Sequence, residues 1–291
     1  MRTLPLLAAA LLGVSLALTA PAQAAPSIGR YVALGDSFAS VGDLTALNGP
    51  PGCFRAADNY PNQVAAALAP AEFVDNTCGG ATTRDMTEAQ SAFGDVNPPQ
   101  FDGLTAETDL VTLTIGANNL DLLRTLVPCL IPSLAETSFT PRIGNPCEQR
   151  FTATGVDTFA QRIDDEVRPA VAAVLRGIRD RAPRATIVAV NYLALVPPTS
   201  DECGYWHGVA KGDIPYLFRA LRRLSTMLMD EAAHAGDIGV DANVIAGHDM
   251  CQTHDKRWVE SIYLPQPATP WHPNSLGMRA VGALVVAALR N

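Results

Sequence analysis

The chain has 291 residues and a formal net charge of −8. That length suits one large α/β domain or two small ones. With a net negative charge, only two lysines, Lys211 and Lys256, and no basic cluster, nucleic acid is a poor partner and is not expected.

Residues 1–24 read as an export signal. Arg2 supplies a positive start, Leu4 to Leu18 an apolar stretch, and Ala22-Gln23-Ala24 a small-x-small cleavage site. The stretch is too short for a membrane anchor and Pro21 interrupts its end; no later run reaches about 18 uninterrupted apolar residues, so no transmembrane span is expected. The expectation is a secreted, monomeric protein with one domain over residues 25–291.

Strands and helices alternate from there. Arg30 to Leu34 is a short strand bounded by Gly29 and Gly35. Tyr60 to Leu68 reads as a helix with Pro61 in its first turn, and Glu72 to Asp75 as a short strand. Asp109 to Ile115 is β-branched, apolar and closed by Gly116. Gly155 to Arg181 has helical spacing, with Pro169 expected to break or kink it. Thr186 to Val190 is a buried strand, Pro215 to Ala235 a long amphipathic helix, Ile238 to Val240 a small strand, and Ser275 to Leu289 a terminal helix. Such alternation predicts a three-layer α/β/α fold on a five-stranded parallel sheet of flavodoxin-like order. Residues 128–153 and 197–214 read as loop-like, Cys-bearing insertions.

Six cysteines follow the signal: Cys53, Cys78, Cys129, Cys147, Cys203 and Cys251. An even count in an exported chain favours three disulfides, although sequence leaves fifteen connectivities open. Sequential pairing, 53–78, 129–147 and 203–251, is expected because each pair brackets a loop-rich stretch. No two cysteines lie two to four apart, so a structural zinc is not expected, and no cofactor is called for.

Four short segments carry chemistry. Ser37, in Gly35-Asp36-Ser37, follows the first strand, where Gly35 permits a tight turn. Cys78-Gly79-Gly80-Ala81 offers a backbone N–H that no side chain blocks. Asn118, in Gly116-Ala117-Asn118-Asn119, follows the strand ending at Ile115 and can donate through its amide; capping a helix over 119–127 is its bland alternative. His272 stands in Trp271-His272-Pro273-Asn274, before the last helix, whose dipole disfavours imidazolium. His234 reads as a solvated helix-face residue, and His207, His248 and His254 sit in Cys-rich loops.

In this order the segments resemble the blocks of the SGNH (GDSL) hydrolase family, specifically its secreted actinobacterial esterases and lipases. The resemblance spans residues 30–290 and implies ester hydrolysis. Ser37 is then the nucleophile and His272 the base, with the Ser37 N–H, the Gly80 N–H and the Asn118 amide forming the oxyanion hole. Two positions depart from the pattern. Asn119 replaces the family's Asp in the third block, with little effect expected. Thr269 stands where the family commonly has an Asp, so the Thr269 main-chain carbonyl, or one near it, is expected to orient His272, making a dyad.

The apolar run Leu120 to Leu134 is a candidate wall for an acyl slot, or else a buried helix. It tips the expected substrate toward fatty acyl esters among small-molecule and lipid esters. Acyl transfer through the same intermediate, a non-catalytic binding protein, and a metallohydrolase using His248, Asp249, His254 and Asp255 are the competing readings.

Overall fold

In the computed structural model, the described residues are 28–92, 94–122, 124–126, 144–201, 203, 209–244, 246–262 and 268–290. The expected export signal, His207 and Cys129 fall outside them.

Five strands form one parallel sheet: β1 (Arg30–Gly35), β2 (Glu72–Asp75), β5 (Leu110–Thr114), β6 (Thr186–Val190) and β7 (Ile238–Val240). Their spatial order is β2-β1-β5-β6-β7. A separate antiparallel hairpin, β3 (Gln90–Ala92) and β4 (Asp95–Asn97), lies apart from the sheet. The central strands are buried without alternation because helices cover both their faces. Tyr31, Val32, Ala33 and Leu34 of β1 are fully buried, as are Val111 and Leu113 of β5.

The helices are α1 (Ser37–Ser40), α2 (Tyr60–Leu68), α3 (Pro146–Thr152), α4 (Thr158–Arg162), α5 (Arg168–Arg181), α6 (Ile214–Ala235) and α7 (Ser275–Ala288). The chain steps one way from β1 through α2 to β2. It steps the other way from β5 to β6 to β7, through α5 and then α6. Right-handed crossovers of opposite direction put α2 on one face and α5 and α6 on the other. α7 returns to pack on α2. The direction of winding reverses between β1 and β5, and the crevice at their carboxyl ends is where a doubly wound sheet receives ligands.

Two expectations need correction in detail. Of the break or kink expected at Pro169, the break is absent: the helical stretch before Arg181 widens into a π-helical segment, Ile163–Val167, just before the proline. The Arg168 N–H there reaches the Ile163 carbonyl, five residues back, which accommodates a proline ring that would collide with a carbonyl four residues back. The loop expected over 128–153 contains α3. Its Cys147 and Glu148 N–H groups donate to the buried Asp213 carboxylate at 3.0 Å each. A remote acid thus caps the helix start, a signal that 128–153 does not carry.

Cys53 bonds to Cys78 and Cys203 to Cys251. Cys147 is also disulfide-bonded, and its expected partner lies outside the described residues. Among the described residues no helix is long and apolar enough to cross a membrane.

Candidate active site

The end of β1 makes a tight turn that only glycine fits. Gly35 has φ +148, and a Cβ there would lie 2.5 Å from the Thr114 carbonyl. Asp36 donates its N–H to that same carbonyl at 2.8 Å. The Asp36 carboxylate then caps α1 by accepting from the Phe38 N–H at 2.9 Å. Ser37, the first residue of α1, is left half-exposed at the carboxyl edge of the sheet.

His272 meets it there. Its Nε2 lies 2.8 Å from Ser37 Oγ, and its Nδ1 lies 2.7 Å from the Pro270 carbonyl. A carbonyl only accepts, so Nδ1 holds the ring proton and Nε2 is free to accept from the serine hydroxyl. Burial pushes the His272 pKa below 6.5, with the Pro270 carbonyl acting in the opposite direction. The Phe38 ring covers one side of the imidazole, with centroids 5.3 Å apart.

Of the carbonyls expected from sequence, at Thr269 or near it, the one that meets the ring is therefore that of the neighbouring Pro270 and not that of Thr269. The Thr269 carbonyl accepts the His272 backbone N–H at 3.2 Å instead. Trp271 has φ +59, and proline followed by a left-handed residue is a type II turn over Thr269–His272. Such a turn closes with its first carbonyl and flips the central peptide, which presents the Pro270 carbonyl to the ring.

The glycine block sits beside the turn after β1. The Cys78 N–H donates to the Gly35 carbonyl at 3.0 Å, and the Gly79 N–H to the Cys53 carbonyl at 2.8 Å. Gly80 has φ +77, a conformation that favours glycine. Among the described residues the backbone N–H groups of Ser37 and Gly80 make no hydrogen bond. Asn118 lies in a 3-10 turn, Ala117–Leu120, rather than capping a helix. Its amide donates to the Ala81 carbonyl at 3.0 Å, which ties the turn after β5 to the glycine block. Asn119 clasps Thr83, accepting from its N–H at 3.1 Å and donating to its hydroxyl at 2.6 Å. An Asp at 119 has no donor for that hydroxyl to accept from.

Two further residues hold the site and carry no motif. Gln100 accepts from the Gly35 N–H at 2.7 Å and donates to the Gly35 carbonyl at 2.9 Å, gripping the residue two before Ser37. Tyr192 donates its hydroxyl to Asp36 at 2.7 Å and accepts the Ala117 N–H at 2.9 Å. It thereby ties the turn after β1 to the turn after β5. Burial pushes the Asp36 carboxyl up to about 7, against the Tyr192 and Phe38 hydrogen bonds. Tyr192 follows β6 by two residues, so its place at the carboxyl edge was the available signal. Gln100 had none.

The other candidates are engaged elsewhere. His248 stacks on Trp258 with centroids 3.8 Å apart and meets the Lys256 carbonyl through Nδ1. Asp249 accepts the Cys251 N–H. No group of three or more His, Cys, Asp and Glu among the described residues is placed to hold a metal. His234 is an exposed residue of α6 near Glu231. Of the candidate acyl wall, Leu120 is fully buried, and Leu122 and Leu126 pack against the core. Those leucines fit the buried-helix alternative. Residues 127–134 lie outside the described residues.

Comparison with known proteins gives the family and the fold. A model of the GDSL-like lipase/acylhydrolase family matches residues 33–280. Lipase 2 of Streptomyces coelicolor is 36% identical over 265 residues, covering 89% of this chain and 85% of that protein. The extracellular lipase of Streptomyces rimosus superposes with a TM-score of 0.72 at 25% identity, covering 89% of this chain and 99% of that one. Phospholipase A1 of Streptomyces albidoflavus superposes with a TM-score of 0.68 at 25% identity, covering 89% and 98%.

Proposed function

The chain belongs to the GDSL-like lipase/acylhydrolase family, and from that premise we propose that it is a secreted serine esterase working through an acyl-enzyme on Ser37. Hydrolysis of carboxylic esters is the activity of the lipase and esterase group to which it belongs. The observation that carries the finer reading is the 2.8 Å contact of His272 Nε2 with Ser37 Oγ.

His272 takes the hydroxyl proton as Oγ bonds to the ester carbonyl carbon. The carbonyl π pair moves onto oxygen, where the Ser37 N–H, the Gly80 N–H and the Asn118 amide stabilise it. The pair then re-forms the carbonyl and expels the alkoxide, which takes the proton from Nε2. Water repeats the attack with His272 again as base, releasing the acid and restoring Ser37. The Pro270 carbonyl holds the ring in the required tautomer through Nδ1.

Residues 25–291 form the catalytic domain, and residues 1–24 direct export. The signal-like pattern, the disulfides and the extracellular Streptomyces rimosus relative support this. The substrate is a fatty acyl ester, as the names lipase and phospholipase A1 on the relatives suggest. An organophosphonate probe should label Ser37 covalently, with the adduct located by peptide mass spectrometry. A chain-length series of nitrophenyl esters should peak beyond acetate. An unlabelled Ser37 would reject the acyl-enzyme, and activity confined to acetate would reject the fatty acyl substrate.

A further inference from the structure

Gln90 opens the small hairpin that lies outside the main sheet. The residue is 7% exposed, and its Nε2 donates to the Gly79 carbonyl at 2.8 Å. The amide is oriented without ambiguity, because a carbonyl accepts only from the NH2 end. Oε1 is buried and has no partner among the described residues. The same Nε2 is the nearest atom to where a Gly80 Cβ would stand, 3.8 Å away. The hairpin is fixed to this loop at other points too. Asn97 contacts Cys78 Sγ at 3.6 Å, and Asp95 accepts the Gly52 N–H beside the Cys53–Cys78 disulfide.

The Gly79 carbonyl and the Gly80 N–H are two ends of one planar peptide, pointing in opposite directions. Whatever fixes the carbonyl also fixes the N–H. This peptide lies between two glycines, where the backbone is least restrained by its own side chains. The hydrogen bond from Gln90 supplies the missing restraint. It also polarises the amide, which makes the N–H at the far end a better donor.

We propose that Gln90 is a positioning residue of the oxyanion hole, setting the direction and donor strength of the Gly80 N–H through the Gly79 carbonyl. This rests on the assignment of Gly80 as an oxyanion donor made above. Gln90 does not touch the substrate; it acts on the peptide that does. The hairpin is then a buttress for catalysis as well as a cover on the loop.

Three variants separate the possibilities, each assayed for kcat, KM and phosphonylation of Ser37 with a nitrophenyl ester and a phosphonate probe. Gln90→Leu removes the donor and should lower kcat and the phosphonylation rate together by about tenfold, less than the ~10²–10³-fold loss of a direct donor, with KM within about twofold. Gln90→Glu keeps the shape but changes the chemistry with pH. Its protonated carboxyl can donate to the Gly79 carbonyl, whereas the carboxylate repels it. Activity of Gln90→Glu should therefore recover toward the wild-type level as pH falls and decline as pH rises, a descending limb that the wild type lacks. Asn118→Ala is the control for the oxyanion hole itself and should lose about 10²-fold in kcat. If Asn118→Ala loses activity while Gln90→Leu and Gln90→Glu keep wild-type kcat, the role of Gln90 is overturned and the oxyanion assignment stands. If Asn118→Ala is fully active, the oxyanion assignment fails. A pH-independent loss in Gln90→Glu, with KM raised as much as kcat is lowered, would make Gln90 a packing residue only and overturn the proposal.

Discussion

Ser37 and His272 are 235 residues apart in sequence, and their side chains meet at 2.8 Å. The partner of the histidine on its other side is the Pro270 carbonyl rather than a carboxylate. A carbonyl fixes the tautomer as an Asp does, but it carries no full charge to stabilise imidazolium. The site thus has a rigid base of low basicity. The stiffness comes from the turn Thr269–His272 and from Glu260, whose N–H donates to the His272 carbonyl at 2.9 Å.

The link between Asp36 and Tyr192 gives a first prediction. Tyr192→Phe keeps the ring that packs against Phe38 but removes the hydroxyl. Asp36 loses a donor and the Ala117 N–H loses its acceptor, both in a buried place. A buried group left unpaired costs about 1–3 kcal/mol. Urea unfolding should show a loss of that size, and kcat should fall because the Asn118 turn is released from the turn bearing Ser37. Unchanged stability would mean that the hydroxyl contributes nothing.

Much of this arrangement was legible beforehand, and the reason is physical. The β1 and β5 runs are apolar or β-branched and reach a glycine, Gly35 and Gly116, which bounded them nearly to the residue, and the short runs of β2, β6 and β7 matched the strands observed. Ser37, Gly80 and Asn118 stood out because each follows such a strand or a glycine. Tyr192 had only its place two residues after β6 as a signal, and Gln100 and Gln90 had none, since no strand end or turn glycine marks them. A polar side chain in the middle of an ordinary segment acquires its role only from the fold. The shift from Thr269 to Pro270 has the same character. It depends on the positive φ of Trp271, a conformation that the residue type does not announce.

Asp36 predicts a pH dependence of stability. Burial raises its pKa from 3.8 in the unfolded chain to about 7 in the folded one. The folded state therefore keeps a proton that the unfolded state releases, and the contribution is full below about pH 4. It is lost as pH rises through 7. Asp36→Asn, which cannot ionise, should flatten the decline of the unfolding midpoint between pH 4 and 7. Parallel curves for wild type and variant would show that Asp36 is ionised throughout that range.

The Cys53–Cys78 disulfide should matter to both stability and rate. It closes a loop of 25 residues, and removing such a constraint costs about 3 kcal/mol in the chain-entropy account. It also joins the two residues whose backbones hold Gly79 and Gly35. Paired Cys53→Ala and Cys78→Ala substitutions should lower the urea midpoint and kcat together. A stability loss with kcat intact would show that hydrogen bonds alone hold the glycine loop.

The acid limb of the pH–rate profile is the direct measure of the dyad. Catalysis needs His272 neutral, so activity is lost as pH falls through its pKa. Burial moves that pKa below 6.5, and no carboxylate accepts from Nδ1 to raise it again. The midpoint of kcat/KM for a nitrophenyl ester should accordingly fall below 6.5, and His272→Ala should abolish the limb with a loss of about 10²–10⁴-fold. Thr269→Asp offers the converse test. A carboxylate introduced beside the ring favours imidazolium, so the limb should move to higher pH. A wild-type midpoint above 7 would mean that a negative charge already stands beside His272, and the dyad would be wrong.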